Sequence, residues 1–464
     1  MYDAAIIGAG VGGLVCGCYL AKAGMKVLIA EQHDRPGGYC ASFKRKGFIF
    51  DAAAHSFGGY REGGITKRVF HDLEIHNHVS IKRYNPSDII LTSDHKVSFF
   101  SDLKETIETF QRAFPDESAN IARFFHFLTN PDPTSSARMR NWTLRILLDT
   151  FFTNQTLKAI LAFPLFGNGG LPPSLMSAFT GAQIFTEFLI DGGYYPEGGM
   201  QTLPDALAKR FIDLGGTILL SSAVTKINLK DNKVLGVTID KGNSVQSKYV
   251  ISNCDARQTF LNLVGKKLLP REFLNRIDSM VPSISMFVAY LGISGAVHAL
   301  PPPGCTLWFL PHHRIEDMYV SAMRRNERNL TEFLLHVSPV GRSIIAMATA
   351  SFRNKRYWDN HKHRMLEALI KNIERSAIPG LSMHIRYQDA ATPCTLLRYT
   401  LNNKGAAYGW ASTPSQFADP DFRRPSFIEG LYLTGHWTTL GFGIPGVSYI
   451  GRDTANRILK RRKR

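Results

Sequence analysis

The sequence holds no C-x-x-C pair. Its six cysteines stand apart at 16, 18, 40, 254, 305 and 394. Cys16 and Cys18 are two residues apart on an expected helix, about 200° around its axis, so they face no common ligand. That spacing argues against structural zinc and against a disulfide framework, and points to a reduced, cytoplasmic compartment. An unbroken apolar run of about 20 residues, which a membrane span needs, is also lacking. The longest uncharged stretch, 159–186, is interrupted by Pro164, by Gly167 to Gly170 and by Pro172 and Pro173. Two short apolar pieces are expected there, suited to lining an apolar cavity, to dipping into a bilayer interface, or to ordinary core. A strand beginning near Ala4 leaves little room for a cleaved leader, so none is expected. Acidic residues are few, 38 against 55 basic ones, giving a formal net charge of +17. Basic residues interleaved with aromatics, or a recognised nucleic-acid module, are not found, so a nucleic-acid partner is not expected. The last eight residues, "RILKRRKR", carry six of the basic side chains. They read either as a solvated end or as a contact with anionic lipid.

At 464 residues the chain is too long for one compact core, and two domains are expected. There is no internal repeat and no low-complexity segment. The opening "YDAAIIGAGVGGL" reads as an apolar strand that runs into Gly8, Gly10 and Gly13 and then a helix closed by Gly24; "KVLIAE" is a second strand. Each glycine has a mechanical reason: a tight turn at Gly8, close approach of backbone to a pyrophosphate at Gly10, helix–strand packing at Gly13. Ala9 and Gly12 belong to the same turn. The free N–H groups of the helix start attract phosphate. Glu31 ends the second strand, placed to accept hydrogen bonds from ribose hydroxyls, with Gln32 beside it. Arg35, Gly37 and Gly38 follow too soon for another crossover helix, and predict a second phosphate-approaching loop with Arg35 as the charge partner.

"GAGVGGL…EQHDRPGG…GFIFD" resembles the FAD-binding start of the glutathione-reductase-like flavoproteins, in the branch that holds phytoene desaturase, carotenoid isomerase and retinol saturase. "GGYYPEGGMQTLPDALA" and "ATPCTLLRYTLNNKGAAYGW" agree with the same branch. The resemblance implies an α/β chain with one bound FAD. It also implies a discontinuous Rossmann-type (glutathione-reductase-like) FAD domain, about 1–75, 195–275 and 425–464. An α+β substrate domain, about 76–194 and 276–424, would be inserted in it. Within the insert, "SISMFVAYLGIS" and "SIIAMATAS" read as strands and "HRMLEALIKNIERS" as an amphipathic helix.

Near the other end, "LYLTGHWTTLGFGIPGVSYIGRDTANRIL" spells a second G-x-G-x-x-G with Gly441, Gly443 and Gly446. One helix follows, without a second strand or a ribose-binding acid, so the pattern lacks the context of a nucleotide site and no NAD(P) module is expected. Pro445 suits a helix start. In the resembled family this segment, with Gly435, closes on the isoalloxazine, and a backbone N–H near Val447 faces its pyrimidine carbonyl. The strand exit near Val224 meets the adenine. One FAD gripped by both ends is the expectation.

Flavin chemistry exchanges hydride, so the protein has a C–H bond to position and a proton to manage. His55 and His436 are the candidate catalytic residues; for each the alternative is a hydrogen bond that only steadies a neighbour. Glu197 is a further candidate. Trp437 is expected to pack against the ring edge, and Asp51 to fix a loop or touch flavin. "PHHRIED" offers adjacent histidines without a third ligand, so no metal site is expected. The resemblance implies an FAD-dependent oxidoreductase acting on C–C double bonds of an apolar polyene or isoprenoid lipid, by desaturation, saturation or isomerisation. It also implies quinone or oxygen as electron acceptor, and peripheral contact with the cytoplasmic membrane. Two other classes stay open: a non-catalytic prenyl-lipid carrier of the dissociation-inhibitor type, which needs no pyrophosphate glycines, and a flavin amine oxidase, whose aromatic cage nothing in the sequence picks out.

Overall fold

A computed structural model describes residues 1–324, 331–417, 424–438 and 443–462. Two seven-stranded sheets organise the chain, each assembled from segments distant in sequence. The first opens with strand Tyr2–Ile7, helix Val11–Lys22 and strand Val27–Ala30. The two strands run parallel, Ala4 opposite Val27. Thr217–Leu219 extends the sheet on one side, Asn243–Ser252 and Leu431–Leu433 on the other, all in parallel. Both faces of such a sheet are covered, which is why Val27–Ala30 is an uninterrupted buried apolar run. Val224–Lys230 and Lys233–Ile239 form a hairpin closed by Asp231 and Asn232, both at positive φ, the geometry a tight hairpin asks for at its "KDNK" turn.

The second sheet has the order Ile385–Ala391, Ser285–Ile293, Ser343–Ala350, Phe333–Val337, Thr306–Phe309, Asp88–Leu91, Lys96–Phe99. Its strands are antiparallel except for Thr306–Phe309 beside Asp88–Leu91. Successive side chains take opposite faces. Phe287, Ala289 and Leu291 pack with Leu366, Leu369 and Ile373 of helix Lys355–Ser376. Met286, Val288 and Tyr290 join a separate core with Trp308, Met347 and the helix Gln155–Gly169.

That last helix corrects the reading of 159–186 as broken at Pro164. It runs through Pro164 to a C-cap at Gly170 with φ +71°. Proline there removes one backbone hydrogen bond, but 11 of the 15 residues are buried, and that packing outweighs the loss. Most side chains of this helix are therefore core. Among the described residues no helix is long and apolar enough to cross a membrane.

Candidate functional site

A cavity of about 300 Å³ starts at the glycine turn, passes between the two ends of the chain and reaches the second sheet. At its first end Gly8 adopts φ +95°, open to glycine and strained for other residues. The helix Val11–Lys22 starts without any side-chain cap, and Gly10, Val11 and Gly12 line the cavity, so its free N–H groups stand at the cavity wall. The glycines leave no slack. A Cβ at Gly10 would stand 2.9 Å from Asn253 Nδ2, one at Gly12 2.9 Å from Asn253 Oδ1, and one at Gly13 2.3 Å from the carbonyl oxygen of Gly8. Glu31 is buried and lines the cavity; it accepts the N–H of Ala9 at 2.7 Å and that of His33 at 3.0 Å. This uncapped, glycine-walled turn with an acid beside it fits a dinucleotide diphosphate and ribose.

The second loop folds back onto the first. The N–H of Gly37 donates to the carbonyl of Ala9 at 3.0 Å, and Gly37 at φ +134° and Gly38 both line the cavity. Arg35 does not join them. Its guanidinium is half-exposed and paired with Asp34 at 3.0 Å, and it is absent from the cavity lining. Gln32 and Val224 do line it.

The carboxyl-terminal segment arrives from strand Leu431–Leu433. Gly435, Gly443 and Val447 line the cavity; Gly446 lies in the helix wall behind. That helix spans Gly443–Arg462, so it begins three residues before Gly446, with Pro445 in its first turn. A Cβ at its Gly451 would be 2.7 Å from the carbonyl of Gly12, a measure of how closely the last helix packs on the first. Gly441 lies outside the described residues.

Farther in stand the histidines. His55 and His436 both line the cavity. Burial lowers each imidazole to about 4, so both are neutral at pH 7. His55 Nδ1 is 3.3 Å from the carbonyl of Ala53, a pairing that puts its proton on Nδ1 and leaves the Nε2 lone pair open. Its ring stands 5.2 Å from that of His336. His436 stacks on Tyr39, centroids 5.8 Å apart and planes 19° apart, while Nε2 of His436 is buried without a partner. Trp437 is buried and donates to Asn402 at 2.8 Å.

Two other candidates sit elsewhere. Glu197 is exposed and outside the cavity lining. Asp51 is buried and accepts from the hydroxyls of Ser42 and Tyr195, each at 2.6 Å, and from the N–H of Met200 at 3.3 Å; burial raises its pKa against the pull of those donors. It ties loops together. No group of three or more His, Cys, Asp or Glu side chains suited to a metal occurs among the described residues. Sequence reasoning missed Asn253, Tyr39, Trp308 and Asp88, all cavity-lining; only Asn253 carried a signal, as a polar residue closing an apolar strand at the level of the glycine turn.

Among known proteins, the chain is similar to all-trans-retinol 13,14-reductase of Danio rerio, 24% identical over 93% of this chain and 82% of that one. It is 27% identical to prolycopene isomerase 2 of an Oncidium hybrid cultivar, over 98% and 84%. It is 24% identical to the lycopene-forming phytoene desaturase of Pseudescherichia vulneris, over 99% of both. Of solved structures, an oxidoreductase from Methanosarcina mazei shares the fold with a TM-score of 0.68 at 16% identity, covering 98% of this chain and 100% of its own. Residues 11–459 match the family described as flavin containing amine oxidoreductase. The chain belongs to that family and is an FAD-dependent oxidoreductase of mixed α/β fold.

Proposed function

We propose that this enzyme acts on a C–C double bond of a polyene or isoprenoid, by desaturation, saturation or isomerisation, with the substrate lying along the second sheet. The observation that carries this reading is the change in the cavity wall. Past the glycines the lining turns to Met286, Val288, Met347, Trp308 and Phe188, and among the described residues no lysine or arginine lines any part of it. An apolar trough sheds the water around a hydrocarbon chain, and methionines adapt to an irregular outline. The names of the similar reductase, isomerase and desaturase support the same substrate class.

Gly8, Ala9, Gly10, Gly12, Gly13, Gly37 and Gly38 are assigned to the diphosphate, Glu31 and Gln32 to the ribose, and Val224 to the adenine. Gly435, Gly443 and Val447 are assigned to the isoalloxazine, with Gly446 supporting them from the helix wall behind. Arg35 would reach a phosphate only by leaving Asp34. Bound FAD supplies hydride exchange at its ring. The chain's part is to exclude water, hold the polyene against that ring and manage a proton. His55, with its Nε2 lone pair open, is assigned to the proton. His436, stacked on Tyr39, is assigned to hydrogen bonding at the ring edge. A pKa of about 4 makes both weak bases at pH 7.

The FAD domain, of glutathione-reductase-like Rossmann type, is assigned to 1–75, 195–275 and 425–464, and the substrate domain to 76–194 and 276–424. The parallel strands of the first sheet all fall in the first set, and every strand of the second sheet in the second. Lys460, Arg461 and Arg462 in the last turn are assigned to anionic lipid of the cytoplasmic membrane; the final two residues of the basic end lie outside the described residues. A carrier has no use for an uncapped helix and a glycine cradle, and the named relatives do not favour an amine as substrate.

The test is conversion of phytoene, prolycopene and all-trans-retinol by the flavin-loaded enzyme, under oxidising and reducing conditions, read by chromatography. Turnover of at least one is expected; turnover of none sinks the polyene reading.

A further inference from the structure

One buried acid in the cavity has no part in the assignments above. Asp88 begins the strand Asp88–Leu91 and lines the cavity at 7% exposure. In the second sheet it stands opposite Thr306, and Thr306 opposite His336. Residues in register share a face, so the three form a polar row beside the apolar row of Trp308, Leu334, Met347 and Val288. The row is held in place. Thr306 Oγ1 is 3.1 Å from His336 Nδ1, and Trp308 Nε1 donates to Asp88 Oδ1 at 2.8 Å. The indole is fixed in turn by Gly167, where a Cβ would stand 2.3 Å from Trp308 Cζ3.

Trp308 and the Ser87 hydroxyl are the donors that reach Asp88. A carboxylate has about four acceptor positions, so acceptor capacity remains at the cavity wall. The neighbouring side chains of Met286, Val288, Met347 and Phe188 offer no donor, and among the described residues no lysine or arginine lines the cavity. Burial accordingly pushes Asp88 up to about 6. A buried carboxyl short of donors in an apolar trough is a site for a donor brought by the ligand.

Resting on the polyene reading, we infer that Asp88 is the acceptor of a hydroxyl subsite, so that this cavity takes a polyene carrying an alcohol in preference to a bare hydrocarbon. A hydroxyl needs one acceptor and gives one hydrogen bond. An ammonium would bring three N–H groups and a full charge to a wall with one carboxyl, which is poor compensation for its lost hydration. A pocket built to bind a hydroxyl rejects the analogue that lacks it, because its polar group is left unpaired.

The experiment uses the flavin-loaded enzyme and three probes of one carbon skeleton: all-trans-retinol, its deoxygenated hydrocarbon, and retinylamine. Binding is read from perturbation of the flavin absorbance. The wild type should bind the alcohol at least about 10-fold tighter than the hydrocarbon, the scale of one hydrogen bond to a charged group. Asp88→Leu should bring that ratio close to one while hydrocarbon affinity stays within about twofold, since apolar burial is kept. Asp88→Asn, which retains an acceptor for Trp308, should fall between and guards against misfolding of the leucine variant. Equal binding of alcohol and hydrocarbon by the wild type, or an unchanged ratio in both variants, overturns the subsite and leaves the polyene reading standing. Tighter binding of the amine than of the alcohol also overturns it. Binding of none of the three overturns both.

Discussion

Glu31 holds Ala9: one carboxylate oxygen accepts the Ala9 N–H at 2.7 Å, and the other accepts that of His33 at 3.0 Å. The acid that would meet a ribose therefore also staples the glycine turn to the end of the second strand. Glu31→Ala should lose both, with the buried Ala9 amide left unpaired at a cost of about 1–3 kcal/mol. Glu31→Gln keeps an acceptor for that amide and should fold nearly as well while holding FAD about 10-fold more weakly. Thermal melts of the flavin-free variants, and flavin retained after gel filtration, separate the two effects. Equal flavin retention by wild type and Glu31→Ala would remove Glu31 from the site.

The glycines differ in what they do, and alanine substitutions should show it. A Cβ at Gly13 would sit 2.3 Å from the backbone oxygen of Gly8, whereas at Gly24 nothing lies within 4 Å and only its φ of +76° resists. Gly13→Ala should cost about 3 kcal/mol through forced separation of helix and strand. Gly24→Ala should cost about 1 kcal/mol from backbone strain alone. Denaturant melts measure both, and a reversed order would mean the first helix does not pack as described.

The amino-terminal turn was legible because its strand, glycines, helix and acid all lie within residues 2–38, whereas Asn253, which walls it, was not. Long-range pairing was not legible. Trp308 and Asp88 meet across 220 residues of chain, brought together by a parallel register that no periodicity announces. Arg35 and Glu197 lie outside the cavity lining, because nearness in sequence to the glycines says nothing of where a long side chain finds its partner, which for Arg35 is its neighbour Asp34. Pro164 misled because burial of the helix around it outweighs one missing hydrogen bond.

Acid should destabilise the flavin-free protein through His436. Its imidazole is lowered by burial to about 4 from 6.5. Between those values the unfolded chain takes up a proton that the folded chain refuses, so stability present above pH 6.5 is lost as pH falls toward 4. A shift of that size is on the order of 3 kcal/mol. Asp88 and Asp255, both raised to about 6 by burial, act in the opposite sense. They gain stability as pH falls from 6 toward their unfolded value of 3.8. His436→Gln should therefore leave a variant that loses less stability than wild type between pH 7 and pH 4.5 in urea titrations. Parallel losses in the two proteins would contradict the burial of this ring.

Gly167 tests the link between packing and recognition at the other end of the cavity. A methyl there would overlap Trp308 at 2.3 Å from Cζ3 and 2.9 Å from Cη2, and Phe163 already closes on the indole edge, 6.0 Å between centroids. The indole has to tilt, and its Nε1 leaves Asp88 Oδ1. Gly167→Ala should lower stability by about 1–3 kcal/mol, the usual penalty of overpacking. Asp88 would lose the hydrogen bond that draws its pKa down, so its carboxyl should titrate higher, a change visible in its infrared stretch. The glycine turn, Glu31 and the last helix are untouched, so FAD affinity should hold while preference for a polyene alcohol falls. Loss of FAD and of alcohol preference together would instead show that the far wall and the flavin seat fold as one unit, with Gly167 holding the scaffold and not the subsite.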